Sequence, residues 1–242
     1  MRHPIRFAAL ALLAVCVAGT PLGSIAATEF TPSQREAIEG VIHDYLMRNP
    51  DVLIEALRAA EDAKSKQVLS QRHHEIFDDP ATPVGGNPQG DVSLVEFFDY
   101  RCPYCKQVQP TLETLLRKDP NLRFVYKEMP VLGPSSVVAA HAALAARLQG
   151  KYEEFHNAMM AAKGQISDDV VYRVAGSVGL DIERLKRDMD SPEIDQAVKA
   201  NLALADALDI RGTPGFVIGN HIIPGAVDLD ALKDLIAESR KG

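Results

Sequence analysis

The sequence predicts an α/β fold in which a small sheet is covered by helices, carries a helical insertion and follows an N-terminal helical arm. Three observations carry that reading. An apolar run rich in strand formers, Val92 to Phe98, leads directly into Cys102-Pro103-Tyr104-Cys105 at a helix start. A second such run, Leu122 to Glu128, precedes a long block of helical periodicity from Ser135 to Leu208. Near the C-terminus two apolar runs flank Gly219-Asn220, a turn pair that tolerates positive φ, and so form a hairpin signal. Strand, helix, strand, helical block, hairpin and closing helix is the order of a sheet with helices packed on it.

In chain order, the first segment reads as an export signal. Arg2 and Arg6 form a basic start, Phe7 to Gly19 is an apolar core too short to span a bilayer comfortably, and Ser24-Ile25-Ala26 offers a small-x-small cleavage site. Residues 1–27 are therefore expected to be removed near Ala26 or Ala27, which places the mature protein in the periplasm. The third cysteine, Cys16, lies inside that apolar core, where Val15 is too bulky for lipoprotein processing. The mature chain then holds only Cys102 and Cys105, so it is not stapled by structural disulfides. Losing two arginines and no acidic residue takes the formal charge from −7 to −9. A chain that acidic is a poor binder of nucleic acid.

After the signal, Thr31-Pro32-Ser33-Gln34 has the form of a capping box with proline at the first helical position. Ile38, Val41, Ile42, Tyr45 and Leu46 follow at helical spacing, and Asn49-Pro50 ends this helix. A second helix runs from Asp51 toward Arg72 with Val52, Leu53, Leu57 and Ala60 near its start. Two short amphipathic helices do not bury their apolar stripes alone, so residues 28–80 either fold back on the main domain or form a homo-oligomer with copies of themselves. Turn-forming residues crowd from Asp78 to Gly90, which marks residues 81–90 as a linker.

The domain from 91 to 242 follows. Val92 to Phe98 is a strand, Pro103 to Leu116 a helix and Leu122 to Glu128 a strand. The block to Leu208 divides into helices at Gly150, Gly164, Gly179 and Ser191-Pro192. Phe216 to Ile223 is the hairpin, and Leu229 to Ser239 closes the chain. With 46% hydrophobic residues the chain has enough apolar surface for one substantial core.

The chemistry gathers at Cys102 and Cys105. Cysteines three apart at a helix start share a face, so they close a small disulfide or attack one in turn. Cys102 at the helix N-terminus meets unpaired amides and the positive end of the helix dipole, which favour a thiolate. Pro103 suits the first helical position, because its φ is already helical. Cys105, one turn deeper, is the resolving thiol. Glu96, six residues before Cys102, lies beneath the pair if the strand turns it inward with Leu94 and Phe98, or on the surface if it does not. Lys127 either pairs with Glu96 or is a solvated strand-end lysine. Pro110 kinks the active-site helix and has a structural role. No metal site is expected: Cys102, Cys105, His73 and His74 are four soft ligands, but the linker separates them too widely for a compact zinc site. His43, His141, His156 and His221 read as packing or surface groups.

The strand ending Glu96-Phe97-Phe98, the Cys102-Pro103-Tyr104-Cys105 tetrapeptide, the helical insertion and Gly212-Thr213-Pro214 before a hairpin together resemble the DsbA-like thiol–disulfide oxidoreductases of the thioredoxin superfamily. The resemblance covers Val92 to Lys241, and the helical arm is similar to that of ScsC-like members. It implies a thioredoxin fold with an inserted helical subdomain. It also implies that Pro214 is a cis proline facing the cysteines, that Thr213 pairs with an extended substrate, and that Pro103 and Tyr104 add to the substrate surface. The acid at the Glu96 position relays protons to the buried cysteine in related enzymes, a role a raised pKa permits.

Pro-Tyr between the cysteines, in place of the Pro-His of strongly oxidising members, supplies no cationic partner for the thiolate. With Thr213, this tilts the expectation toward isomerase or reductase work on exported, cysteine-containing proteins, served by a membrane-bound redox partner and needing no cofactor. A strong dithiol oxidase of the same family, or a non-enzymatic oligomeric holdase, are the alternatives.

Overall fold

The computed structural model describes residues 30–241; the expected signal segment, its cleavage site and Cys16 lie outside the described residues. The chain divides into two units, one ending at Ile54 and the other running from Glu55 to the C-terminus, and each is described by itself.

In the first unit, helix α1 (Pro32–Arg48) starts on the expected capping box. Thr31 Oγ1 accepts from the Gln34 N–H at 3.3 Å, and the Gln34 side chain accepts from the Thr31 N–H at 2.9 Å. Two donors that a helix start leaves orphaned are satisfied in this way. Asn49 closes the helix, its N–H donating to the Tyr45 carbonyl at 2.9 Å. No residue of α1 is buried, and Val41, Ile42, Tyr45 and Met47 are all at least half exposed. Helix α2 (Pro50–Gln71) begins in this unit, and its C-terminal turns belong to the second.

The second unit is built on a five-stranded sheet in the order β1-β3-β2-β4-β5. β2 (Val92–Phe98) and β3 (Leu122–Glu128) run parallel in the register Glu96 to Tyr126 and Phe97 to Lys127, joined by the crossover helix α3 (Pro103–Lys118). β4 (Gly215–Ile218) pairs antiparallel with β2, and β5 (His221–Pro224) antiparallel with β4. At the hairpin turn only Gly219 takes a positive φ, of 54°, the pattern of a type II′ turn. Five helices fill the expected insertion: α4 (Pro134–Arg147), α5 (Tyr152–Ala161), α6 (Asp168–Ser177), α7 (Ile182–Met189) and α8 (Pro192–Ala207). They break at the residues read from the sequence, and Ser167, Asp181 and Ser191 cap the last three. Helix α9 (Leu229–Ser239) closes the chain, capped by Asp228.

Each face of the sheet has its own core. Leu94, Phe98, Phe124 and Tyr126 face α3, α9 and the insertion, whereas Val95, Phe97, Val125 and Val217 face Leu69, Ile76, Leu204 and Leu208. Three expectations change here. Residues 81–90 are not a bare linker: Val84–Gly86 forms β1, antiparallel to β3, a strand too short and glycine-rich to read from sequence. The arm does not extend to residue 80, because Leu69 and Ile76 are buried in the second core. Between them, one π-helical turn at His74–Asp78 docks on the sheet.

The third change concerns Lys127, which neither pairs with Glu96 nor meets solvent. Alternation along β3 turns it to the opposite face, where it is fully buried. Its ammonium donates to the Glu75 carbonyl at 2.8 Å and to Thr82 Oγ1 at 2.6 Å, with the Asp79 carboxylate at 3.9 Å. Burial outweighs the attraction of Asp79 and lowers its pKa to about 8. An amine whose pKa is lower folded than unfolded opposes folding while it is charged, and this opposition fades as pH rises from about 8 toward the unfolded value. Relative to Lys127→Met, the parent protein is therefore expected to gain stability between pH 8 and 10, by up to about 3 kcal/mol. Urea unfolding of both proteins across that range checks the sign; parallel curves would contradict it.

Candidate active site

Sheet pairing assembles the site from segments far apart in sequence. β2 delivers the chain to the turn at residues 99–102, and β4, which pairs Gly215 with Phe97, sets Thr213 and Pro214 beside that turn. Cys102 is the N-cap of α3 with Pro103 at the first helical position. Its thiol donates to the Thr213 carbonyl at 3.1 Å, and the Thr213-Pro214 peptide is cis. Cys102 retains 4% of its exposure and Cys105 none, and both are free thiols. The outer residues of the helix start are open to solvent: Pro103 is exposed and Tyr104 is 60% exposed. Thr213 is half-buried and Pro214 buried.

Beneath the pair lies Glu96, on the same sheet face as Leu94 and Phe98 and fully buried. Neither carboxylate oxygen has a hydrogen-bond partner among the described residues. Burial, reinforced by the nearby Cys102 sulfur, pushes its pKa well above the usual carboxylate range. Cys105 responds in the same direction: burial and then the charge of Glu96 push its thiol far up, and a backbone hydrogen bond from Asp99 offsets this in part. Neither group is open to water.

A buried polar network that sequence reading missed borders the site. Glu128 Oε1 accepts from the hydroxyls of Tyr100 at 3.0 Å and Tyr152 at 2.8 Å, and Tyr100 Oη lies 3.2 Å from His156 Nδ1. Burial raises the pKa of Glu128, and the two phenol donors only partly counter it. His156, read as a packing or surface group, is fully buried against Phe98, Tyr100 and Tyr126. Burial first, and the neighbouring Lys106 cation second, lower its pKa to about 3, so the ring is neutral. Lys106, the residue after Cys105, donates to the carbonyls of Met159, Met160 and Ala162 and so ties α3 to the end of α5. The only sequence signal for this network was a scatter of Tyr, Glu and His in helices and strand ends. His73 and His74, weighed as soft ligands with the cysteines, are exposed at the start of the π-helical turn, where the His73 ring lies tilted against Phe77. Among the described residues no helix is long and apolar enough to cross a membrane.

The model of the DSBA-like thioredoxin domain matches residues 93–237, and that of the copper resistance protein ScsC N-terminal domain matches residues 34–67. A thioredoxin-like oxidoreductase from Silicibacter pomeroyi is 48% identical, with a TM-score of 0.69 over 70% of this chain and 98% of its own. The catalytic domain of Proteus mirabilis ScsC is 30% identical, with a TM-score of 0.68 over 73% of this chain and 99% of its own. A periplasmic thioredoxin-like protein from Salmonella enterica is 32% identical, with a TM-score of 0.62 over 70% of this chain and 96% of its own. Curated relatives include a Na(+)/H(+) antiporter NhaA from Salinispora arenicola, 29% identical over 161 residues; this chain spans about a quarter of that protein's length.

The orphaned carboxyl of Glu96 has a measurable cost. An acid whose pKa is raised by folding adds stability below its unfolded pKa and loses it as pH rises toward the folded value. Glu96→Gln is expected to remove this loss, leaving the variant about 1–3 kcal/mol more stable than the parent at pH 7.5 and closer to it at pH 4.5. Denaturant unfolding at the two pH values is the check, and equal differences at both would count against it.

Proposed function

This chain belongs to the DSBA-like thioredoxin domain family, and on that premise we propose that it is an exported thiol–disulfide oxidoreductase that exchanges disulfides with secreted proteins through Cys102 and Cys105. The observation that carries the reading is the Cys102 sulfur at the start of α3, 3.1 Å from the carbonyl that precedes Pro214, with Cys105 fully buried behind it. An attacking sulfur at a helix N-terminus and a resolving sulfur shielded from competitors is the order that disulfide exchange needs.

In the reducing direction the Cys102 thiolate attacks one sulfur of a substrate disulfide; a mixed disulfide forms and the other substrate sulfur leaves as a thiolate. Cys105 then gives its proton to an ionised Glu96 and attacks Cys102, which closes the Cys102-Cys105 disulfide and releases the second substrate sulfur. In the oxidising direction the protonated Glu96 returns the proton to Cys105. Isomerisation stops at the mixed disulfide, where the freed substrate thiolate attacks elsewhere in its own chain. The backbone of Thr213, buried Pro214 and the exposed Pro103 and Tyr104 form the surface that meets the substrate strand.

Tyr104 brings no positive charge to the Cys102 thiolate, which favours isomerase or reductase work over strong oxidation. The export signal and the periplasmic relative support a periplasmic location, where a membrane-bound partner would renew the redox state of the pair. The match to an ScsC N-terminal domain and the exposed apolar residues of α1 support self-association through the arm. Burying each such side chain contributes roughly 1.5–3 kcal/mol, so a few per copy suffice to hold an assembly.

Two outcomes are expected. Acid-trapped cells show Cys102 and Cys105 mainly reduced, Cys102→Ala loses turnover of a disulfide peptide, and Cys105→Ala accumulates mixed disulfides; retained turnover in Cys102→Ala points to a holdase instead. Light scattering gives an oligomer for the mature chain and a monomer once residues 28–54 are deleted, a cut that spares the core residues Leu69 and Ile76; equal masses for the two proteins contradict self-association.

A further inference from the structure

The turn that carries Cys102 into α3 is held from outside by one side chain to which neither the fold nor the exchange chemistry assigned a part. Asp99 is 1% exposed. Its Oδ1 accepts from the Arg101 N–H at 2.8 Å and from the Ser136 hydroxyl at 2.8 Å; its Oδ2 accepts from the N–H groups of Val131 and Leu132, both at 2.9 Å. One carboxylate thus joins the redox turn, the segment after β3 and the first turn of α4. The backbone of the same residue is engaged with the cysteines themselves. Its carbonyl accepts from the Cys102 N–H at 3.0 Å, and its backbone hydrogen-bonds to Cys105.

Neighbouring groups reinforce the joint. The Arg101 guanidinium donates to the Leu132 carbonyl, a second link between the same two segments. Gly133 completes the turn at φ 116°, where a Cβ would come within 2.8 Å of that guanidinium, so the sequence leaves room for the arginine to cross.

We propose that Asp99 is a positioning residue for the redox pair: its carboxylate locks the turn bearing Cys102 to the 131–136 segment and so sets where the Cys102 sulfur sits relative to the Thr213 carbonyl and an incoming disulfide. The inference rests on the oxidoreductase reading and adds to it a residue that touches no substrate. Charge-assisted bonds to four donors make a stiff joint, and a reacting atom displaced by a fraction of an ångström loses rate steeply.

Asp99→Asn tests this directly, because it keeps the shape, removes the charge and replaces one acceptor oxygen by an amide that faces two donors. The rate constant of Cys102 with Ellman's reagent, a small disulfide, is expected to fall about tenfold. The equilibrium of the pair with glutathione is expected to move toward the dithiol by at least about threefold, because a looser turn lowers the effective concentration of one sulfur at the other. Asp228→Ala, which removes the N-cap of α9, lowers the thermal midpoint and is expected to leave both readouts within about twofold of the parent, so stability loss alone does not mimic the effect. Should Asp99→Asn not fold, Leu132→Pro removes one donor from the far side of the joint and is expected to slow the same reaction at least threefold. A folded Asp99→Asn protein, or failing that Leu132→Pro, that reacts within twofold of the parent overturns the proposal. A parent protein that does not react with disulfides at all overturns the oxidoreductase reading instead.

Discussion

The antiparallel pairing of β2 with β4 is the constraint on which the site depends. Without it, Cys102 and Thr213 are separated by 111 residues and the entire helical insertion; with it, the sulfur and the carbonyl are 3.1 Å apart. The pairing holds because both strands are buried on both faces, so its ladder bonds compete with little water and a slip by one residue would exchange the two cores. The parallel β2–β3 ladder then places the start of α3 at the same end of the sheet, and the two cysteines and the loop of Thr213 and Pro214 meet there.

Against that frame the protein tolerates polar groups in places that oppose folding. Among the described residues Glu96 has no hydrogen-bond partner, Glu128 has two phenols, and Lys127 has a carbonyl and a hydroxyl on the opposite face. These are not equivalent. Lys127 fastens the π-helical turn to the sheet, and Glu128 fastens the redox turn to α5 through Tyr100 and Tyr152. Each is a buried polar group satisfied well enough to specify one arrangement. Glu96 fastens nothing, and an unpaired buried acid is retained against a cost that a glutamine or leucine would avoid. It lies beneath the two sulfurs, and that is where the proposed exchange would draw on it.

The insertion is more than a cover. Lys106 closes the end of α5, Asp99 reaches Ser136 in α4, and Tyr100 reaches His156 in α5, so three residues around the cysteine pair are bonded to the helical subdomain. The helical arm shows the opposite design. Its capping box and proline start make α1 a well-formed helix, yet its apolar stripe stays exposed.

Much of this was legible from the chain alone. Strand bounds at Val92–Phe98 and Leu122–Glu128, the capping box at Thr31, the breaks at Gly150, Gly164 and Gly179 and the closing helix all follow from local signals: apolar periodicity, caps and glycines at positive φ. The Cys102-Pro103-Tyr104-Cys105 tetrapeptide was equally plain, since it lies within four consecutive residues. What tertiary structure alone decided were relations between segments. Which face of β3 Lys127 takes depends on register with β2, the place of Leu69 and Ile76 in the core depends on how α2 meets the sheet, and β1 exists only because β3 offers it an edge. Nothing local marks Asp99; folding alone brings four donors from three segments around it. Local pattern encodes what a residue prefers by itself, whereas its partners are chosen by the packing of distant chain, which no window along the sequence contains.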